Sequence, residues 1–471
     1  MLKLYKYSSI YYKLWAKLLL ILLPFTLVQA QKPLSFSNNN YSQSSSNYSY
    51  SKDNSSIRSK IITLNKKGIF DRKSRQIGYT LRLENNIREE QTGEIALQVF
   101  NQSGILLYQQ NAGFSMRKKG EFEKNYFFDA SQFQSGYYLA KMSISSLRYS
   151  DSISYTFGFE TSQTQNTASA PSQITAPSDF TNFWDQAKRE LANLRADFKL
   201  TPRPDIRNKN FTTYEVEYKS TDNAIIYGWL TTPLNSKFNA VLYTISDYQS
   251  ELFPEYRRDI AVLSINTRGT GSSNQNYNLA YDQLAVFNLK DKNKYFLRGI
   301  YQDALRGLDF ITQYSNQLKF DTRKIVVIGA GLGASAAAVI GAIDSRVSGI
   351  VLEGPSFIGF NNLLSNRMSN QGFPSTMFTT YMNQNRVSKE NIISTLEYFD
   401  PINFAPYINS RILIGFSLNN NNTPSQSVLN FINQLRVSKK DVFECKNCGN
   451  SLNSKFYGFK ETWLKERFGQ L

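Results

Sequence analysis

At 471 residues the chain exceeds the length that one hydrophobic core usually serves, so two folded domains with polar tails are expected. Its formal charge of +17 is spread along the sequence and not gathered into one basic run, which argues for weak attraction to anionic surfaces and against nucleic acid as a partner. The chain holds no histidine and only two cysteines, so the usual general base near neutral pH is missing from any mechanism and no tetrahedral zinc site can be completed; neither a metal nor a cofactor is expected.

Residues 1–30 carry Lys3, Lys6, Lys13 and Lys17 ahead of the apolar run LLLILLPFTLV, and end in VQA, with small residues at the positions a signal peptidase reads. The expectation is a signal peptide cleaved after Ala30, hence a secreted, periplasmic or cell-envelope protein that meets the membrane only during export. A retained N-terminal anchor is the alternative, and the apolar core is short for it. Without those four lysines the formal charge is about +13. Residues 31–58 are polar and low in complexity, and read as a disordered spacer.

Residues 59–162 show period-two alternation in short runs. Ile95, Leu97 and Val99 alternate before a turn at Ser103-Gly104; Tyr138, Ala140, Met142 and Ile144 alternate later. About seven such runs in roughly a hundred residues predict an antiparallel β-sandwich of immunoglobulin-like type. A second polar stretch, 163–177, reads as a linker.

From residue 178 the texture becomes α/β. SDFTNFWDQAKRELANL predicts an amphipathic helix capped by Ser178, with Phe180, Phe183 and Trp184 opening its apolar face. Strand-like segments follow in TTYEVEYKS, AIIYGWLTTP, NAVLYTI, IAVLSINT, KIVVIGA, SGIVLEG and RILIGFS. Helical segments such as GIYQDALRGLDFITQY and SQSVLNFINQL separate several of them. This predicts a mostly parallel sheet with helices on both faces. Near the C-terminus Cys445 and Cys448 form a lone C-x-x-C, which reads either as a local disulfide in an oxidising compartment or as two free thiols.

Within KIVVIGAGLGASAAAVIGAI (324–343), Gly329, Gly331 and Ala334 fill the dinucleotide pattern G-x-G-x-x-A, and Glu353 stands about twenty residues further on. The same residues fit a strand, elbow and helix of the G-x-S-x-G kind in which the serine is Gly331. A dinucleotide fingerprint belongs at the first strand of its domain, whereas at least four strands precede this one.

The ordered motifs settle the choice. SDFTNFWDQAKREL, AIIYGWLTTP, NTRGTGSS (266–273), YFLRGIYQDALRGLDFI and LEYFDPINFAPYI followed by RILIGFS resemble, in that order, the acetyl xylan esterase and cephalosporin-C deacetylase family of α/β-hydrolases. The resemblance implies an α/β-hydrolase domain over 178–471, with a serine nucleophile, a histidine base and an acid at the carboxyl ends of its strands. It places Gly331 at the nucleophile position, Asn420 at the acid (within a run, 419–422, that is all asparagine) and Asn450 at the histidine. All three positions of the triad are therefore degenerate. It also implies backbone oxyanion donors at Tyr248 and Leu332, with Tyr248 either lining the pocket or packing the loop. Arg268, Gly269, Arg298, Gly299, Asp303 and Arg306 are expected to fix turns and ion pairs beneath the site. Ser335, one helical turn beyond the elbow, is expected to be a small packing residue.

The functional expectation is an exported, non-catalytic relative of this family that binds a glycan such as a polysaccharide, an acylated small ligand or an envelope partner. Because family members assemble into rings, the resemblance also implies a homo-oligomer, which the preceding sandwich could block. An active carbohydrate acetyl esterase with an unrecognised nucleophile, and a structural envelope component, are the alternatives.

Overall fold

The structure, a computed structural model, describes residues 48–50, 57–63, 69–70, 76–101, 105–131, 133, 136–147, 149–159, 176–234, 240–274, 279–365, 373–418, 420, 422–445 and 448–468. The expected signal segment, the Ser103-Gly104 turn and nearly all of the second polar linker lie outside the described residues.

Among the described residues, nine strands occupy the first region: β1 (Tyr48–Tyr50), β2 (Ile57–Thr63), β3 (Ile69–Phe70), β4 (Gln76–Asn85), β5 (Gln91–Asn101), β6 (Leu106–Met116), β7 (Glu121–Asp129), β8 (Gly136–Ser146) and β9 (Tyr149–Phe159). They form one sheet of order β1-β2-β4-β7 and another of order β3-β9-β8-β5-β6, antiparallel except where β3 meets β9. Ile95, Leu97 and Val99 of β5 and Tyr138, Ala140, Met142 and Ile144 of β8 point inward, as their alternation predicts. They meet Ile77, Tyr79, Leu81 and Leu83 of β4, so both sheets share one core. Phe128 of β7 joins the layers, its ring centroid 6.0 Å from that of Tyr79 and 5.7 Å from that of Phe157 on β9. Each such aromatic contributes about 1.5–3 kcal/mol by burial. The number of strands exceeds the seven runs expected. The polar spacer also ends earlier than expected, because β1 lies within it and pairs with β2; Tyr48-Ser49-Tyr50 carries the aromatic alternation of a strand inside an otherwise polar stretch.

The second region is built on a nine-stranded sheet. Its strands are β10 (Lys199–Pro202), β11 (Phe211–Lys219), β12 (Ile225–Pro233), β13 (Val241–Ile245), β14 (Ala261–Asn266), β15 (Ile325–Ala330), β16 (Val347–Glu353), β17 (Arg411–Ser417) and β18 (Lys440–Cys445), in the order β10-β11-β12-β14-β13-β15-β16-β17-β18. The first four in that order pair antiparallel and the remainder run parallel. Period two assigns alternate residues to opposite faces. Val241, Tyr243 and Ile245 of β13 enter the large core under helices α1 (Phe180–Asn193), α2 (Phe296–Leu318), α3 (Gly331–Ile343) and α4 (Ser425–Gln434), while Leu242 enters a smaller core under α5 (Ser454–Phe468), whose Phe456, Trp463 and Leu464 cover it. Helix α1 buries Phe180, Phe183 and Trp184 as predicted, but its N-cap is Asp179, one residue later than the expected Ser178.

Below the carboxyl ends of these strands, Arg268 anchors the turn after β14. Its Nε and Nη2 donate to the two oxygens of Asp303 at 2.9 and 2.8 Å, and Nη1 donates to Asp222 at 2.8 Å. A Cβ on Gly299 would lie 2.1 Å from Arg268 Nη1, so only glycine allows the guanidinium to lie against α2. Arg298 pairs instead with Glu190 of α1, and Arg306 with Asp309.

Candidate functional site

The elbow is where the sequence places it. Strand β15 ends at Ala330 and α3 begins at Gly331, whose φ of +52° is a left-handed conformation that glycine adopts without a steric cost. The flanking glycines are required by close approach: a Cβ on Gly329 would lie 2.1 Å from the carbonyl of Gly333, and one on Gly333 would lie 2.3 Å from the carbonyl oxygen of Ile245. Such packing gives G-x-G-x-G its form with no phosphate involved.

Asp247, in the loop after β13, fills the space in front of the elbow. Its Oδ1 accepts the N–H of Leu332 at 2.7 Å and the N–H of Tyr248 at 2.7 Å. These are the two donors expected to form an oxyanion hole, and they are already satisfied by a carboxylate of the protein itself. A Cβ on Gly331 would stand 2.1 Å from the same Oδ1, so the carboxylate and a nucleophile side chain compete for one volume. Burial pushes the Asp247 carboxyl upward, against the opposing pull of the two amides. The side chain of Tyr248 packs in the loop: it is 6 % exposed, its hydroxyl accepts the N–H of Ala285 at 3.0 Å, and its ring meets Phe373 at 4.9 Å. Of the two expectations for Tyr248, packing describes its side chain, while the Tyr248 and Leu332 amides, expected as oxyanion donors, both donate to Asp247.

The two other residues to which the resemblance assigns the triad, Asn420 and Asn450, lie at the same place. Gly331, Asn420 and Asn450 all line one pocket of about 220 Å³, together with Asp247, Glu353 and Ser356. Asn420 follows β17 and its Oδ1 accepts the N–H groups of Asn422 at 2.7 Å and Thr423 at 3.1 Å, an Asx turn that folds the loop over the pocket. Asn450 follows the Cys445–Cys448 disulfide and Gly449, whose φ is +61°. The disulfide resolves the open reading of the C-x-x-C pair. Glu353, at the end of β16, is paired with Lys460 of α5 at 2.9 Å, and the Lys460 ammonium lies 5.1 Å from the centre of the Tyr457 ring. The pocket thus opens at the carboxyl ends of parallel strands, where sheets of this kind place ligands.

Ser335 is fully buried and donates its hydroxyl to the carbonyl of Ser356. It packs α3 against the loop after β16. Among the described residues no group of three or more histidine, cysteine or acidic side chains could hold a metal ion. The dinucleotide reading meets the same side chain: the N-terminus of α3, where a pyrophosphate would sit, is already occupied by the Asp247 carboxyl group.

A sheet of mostly parallel strands, a strand-elbow-helix at its centre and loops that meet above it define an α/β-hydrolase of the esterase type. The acetyl xylan esterase (AXE1) family model matches residues 167–462, and the chain belongs to that family. Two solved structures show the same fold. An acetyl xylan esterase from Paenibacillus sp. R4 is 23% identical with a TM-score of 0.55, covering 62% of this chain and 96% of its own. Acetyl xylan esterase 1 from Thermoanaerobacterium sp. JW/SL YS485 is 19% identical with a TM-score of 0.56, covering 62% and 94%.

The chemistry available here is limited. Gly331 offers no nucleophile, no imidazole exists in the chain, and the two amides expected as oxyanion donors face the Asp247 carboxyl. Two like charges about 4 Å apart repel by about 4 kcal/mol at an effective dielectric of ~20. An ionised Asp247 therefore opposes the negative charge that an oxyanion hole is built to stabilise. Sequence reasoning located the Asp247 loop but missed the part played by Asp247 itself, and it missed Ser356 and the Lys460 pair to Glu353. The one signal was indirect: a glycine at the nucleophile position leaves room for a neighbouring side chain, and nothing in the sequence says which one enters.

Proposed function

We propose that this protein is a non-catalytic member of the acetyl xylan esterase family, exported through its N-terminal segment, that uses the elbow pocket to bind a small polar ligand of the kind a glycan presents. The observation that carries this reading is the Asp247 carboxylate, bound by both oxyanion donors and occupying the volume of the nucleophile. The lining supports a polar ligand, since Asp247, Glu353, Asn420, Asn450 and Ser356 all contribute to it. An acylated ligand is disfavoured, because an acyl carbonyl would meet an acceptor where an esterase offers donors.

The test is hydrolysis of 4-nitrophenyl acetate and of an acetylated xylo-oligosaccharide by the purified chain. The expected rate is that of buffer alone. Turnover above the blank that is lost on Ser335→Ala or Asp247→Asn would overturn the reading.

A further inference from the structure

Among the described residues, β6 is the one edge strand that is both long and uncharged. Of the others, β1 has three residues, β3 two and β10 four. Strand β7 carries Glu121, Glu123, Lys124 and Asp129, and β18 carries Lys440, Asp441 and Glu444. Shortness and charge protect a sheet edge, whose unpaired N–H and C=O groups otherwise accept a further strand. Strand β6 runs for 11 residues, LLYQQNAGFSM, with no charge and no proline, at the end of the sheet β3-β9-β8-β5-β6. Leu106 and Leu107 are exposed at its start, and Gln109 and Asn111 in its middle. Charges begin immediately after it, with exposed Arg117, Lys118 and Lys119 in the turn to β7.

An extended backbone satisfies such an edge, and the side chains of β6 suit a second copy of itself. We propose that two copies of this chain pair antiparallel through β6, about a two-fold axis at Asn111, so that their five-stranded sheets become continuous. With that centre even-numbered residues oppose even-numbered ones: Tyr108 of each copy faces Phe114 of the other, and Gln110 faces Ala112. The even-numbered side is the one turned inward, since Phe114 and Met116 are buried, so core face continues into core face. No like charges meet, whereas β7 paired with itself in the same way would oppose Glu121 to Asp129. The basic turn also fixes the direction. A parallel pair would set the two Arg117-Lys118-Lys119 turns side by side, while the antiparallel pair holds them roughly 40 Å apart, well beyond the ~8 Å range of charge repulsion at physiological salt. Pairing of this length supplies about ten inter-strand hydrogen bonds. It uses the first region alone and does not depend on the elbow pocket.

The experiment is sedimentation velocity of the full chain at about 50 µM in ~0.15 M salt, where a dimer is expected. Gln109→Lys together with Asn111→Lys sets lysines against one another across the seam and should raise the dissociation constant about tenfold or more. Gln109→Glu together with Asn111→Glu should do the same. Both positions are exposed, so the thermal transition of each variant should match that of the wild type. Mixing the lysine and glutamate variants in equal amounts pairs opposite charges and should restore the dimer, which a failure to fold could not do. A monomeric wild type would leave the edge to a strand of another protein and overturn the inference. A dimer indifferent to both variants, or variants that dissociate and do not recombine, would overturn it equally.

Discussion

At the carboxyl end of β14, Arg268 is a buried cation whose guanidinium meets Asp303, Asp222 and Thr221. At the carboxyl end of β15, two strands away, Gly331 has no side chain and a neighbouring carboxylate occupies the vacant volume. The first arrangement holds the turns that carry the pocket, and the second decides what the pocket can do. Fold and chemistry are thus written in different residues, and family membership follows from the first set without guaranteeing the second.

The largest expected effect lies on the scaffold side. Asp303→Ala leaves the Arg268 charge buried without its main partner and should cost about 3–5 kcal/mol in urea unfolding, with the second region losing stability first. Asp400 comes next. It is buried, accepts the N–H groups of Gly359, Phe360 and Ile402, and its carboxyl is pushed up to about 6 by burial. A carboxyl that holds its proton more tightly when folded contributes stability that is present below about 3.8 and is lost as pH rises through about 6. Relative to Asp400→Asn, the wild type should lose up to about 3 kcal/mol between pH 4 and pH 7. A parallel pH dependence in both proteins would remove Asp400 from the scaffold account.

The smallest effect is the sharpest test of the elbow. Gly331→Ser places a Cβ 2.1 Å from Asp247 and a side chain at φ +52°, and should destabilise by about 2 kcal/mol without producing esterase activity. Combining it with Asp247→Ala should recover about 1 kcal/mol of that loss, read as coupling in a double-mutant cycle. Strict additivity would show that the two residues do not compete for space.

Much of this molecule is legible in its sequence, for identifiable reasons. Alternation in β5 and β8 and the apolar face of α1 follow from periodicity, because burial on one face forces it. The order of motifs along the chain singles out Gly331, Asn420 and Asn450, and all three line one pocket. The first strand was missed because a three-residue aromatic alternation is weak against a polar background. The occupation of the oxyanion donors was missed because backbone amides carry no sequence signal and Asp247 differs in no local pattern from a loop aspartate. The partner of Asp303 lies 35 residues away at Arg268, although Arg306 is nearer in sequence; helical spacing points to the neighbour, while the fold decides by the turn after β14.

The position of Asp247 also bears on how such a site could change. A serine at residue 331 meets the carboxylate; removal of the carboxylate leaves two amide donors at the head of α3 without their acceptor; and a base would still have to be introduced among Asn450 and its neighbours. The first two of these steps each cost stability, one by a clash and the other by leaving two amides unpaired. On the non-catalytic reading proposed above, the glycine and the aspartate act as a latch, and an ester-cleaving site would require several simultaneous substitutions.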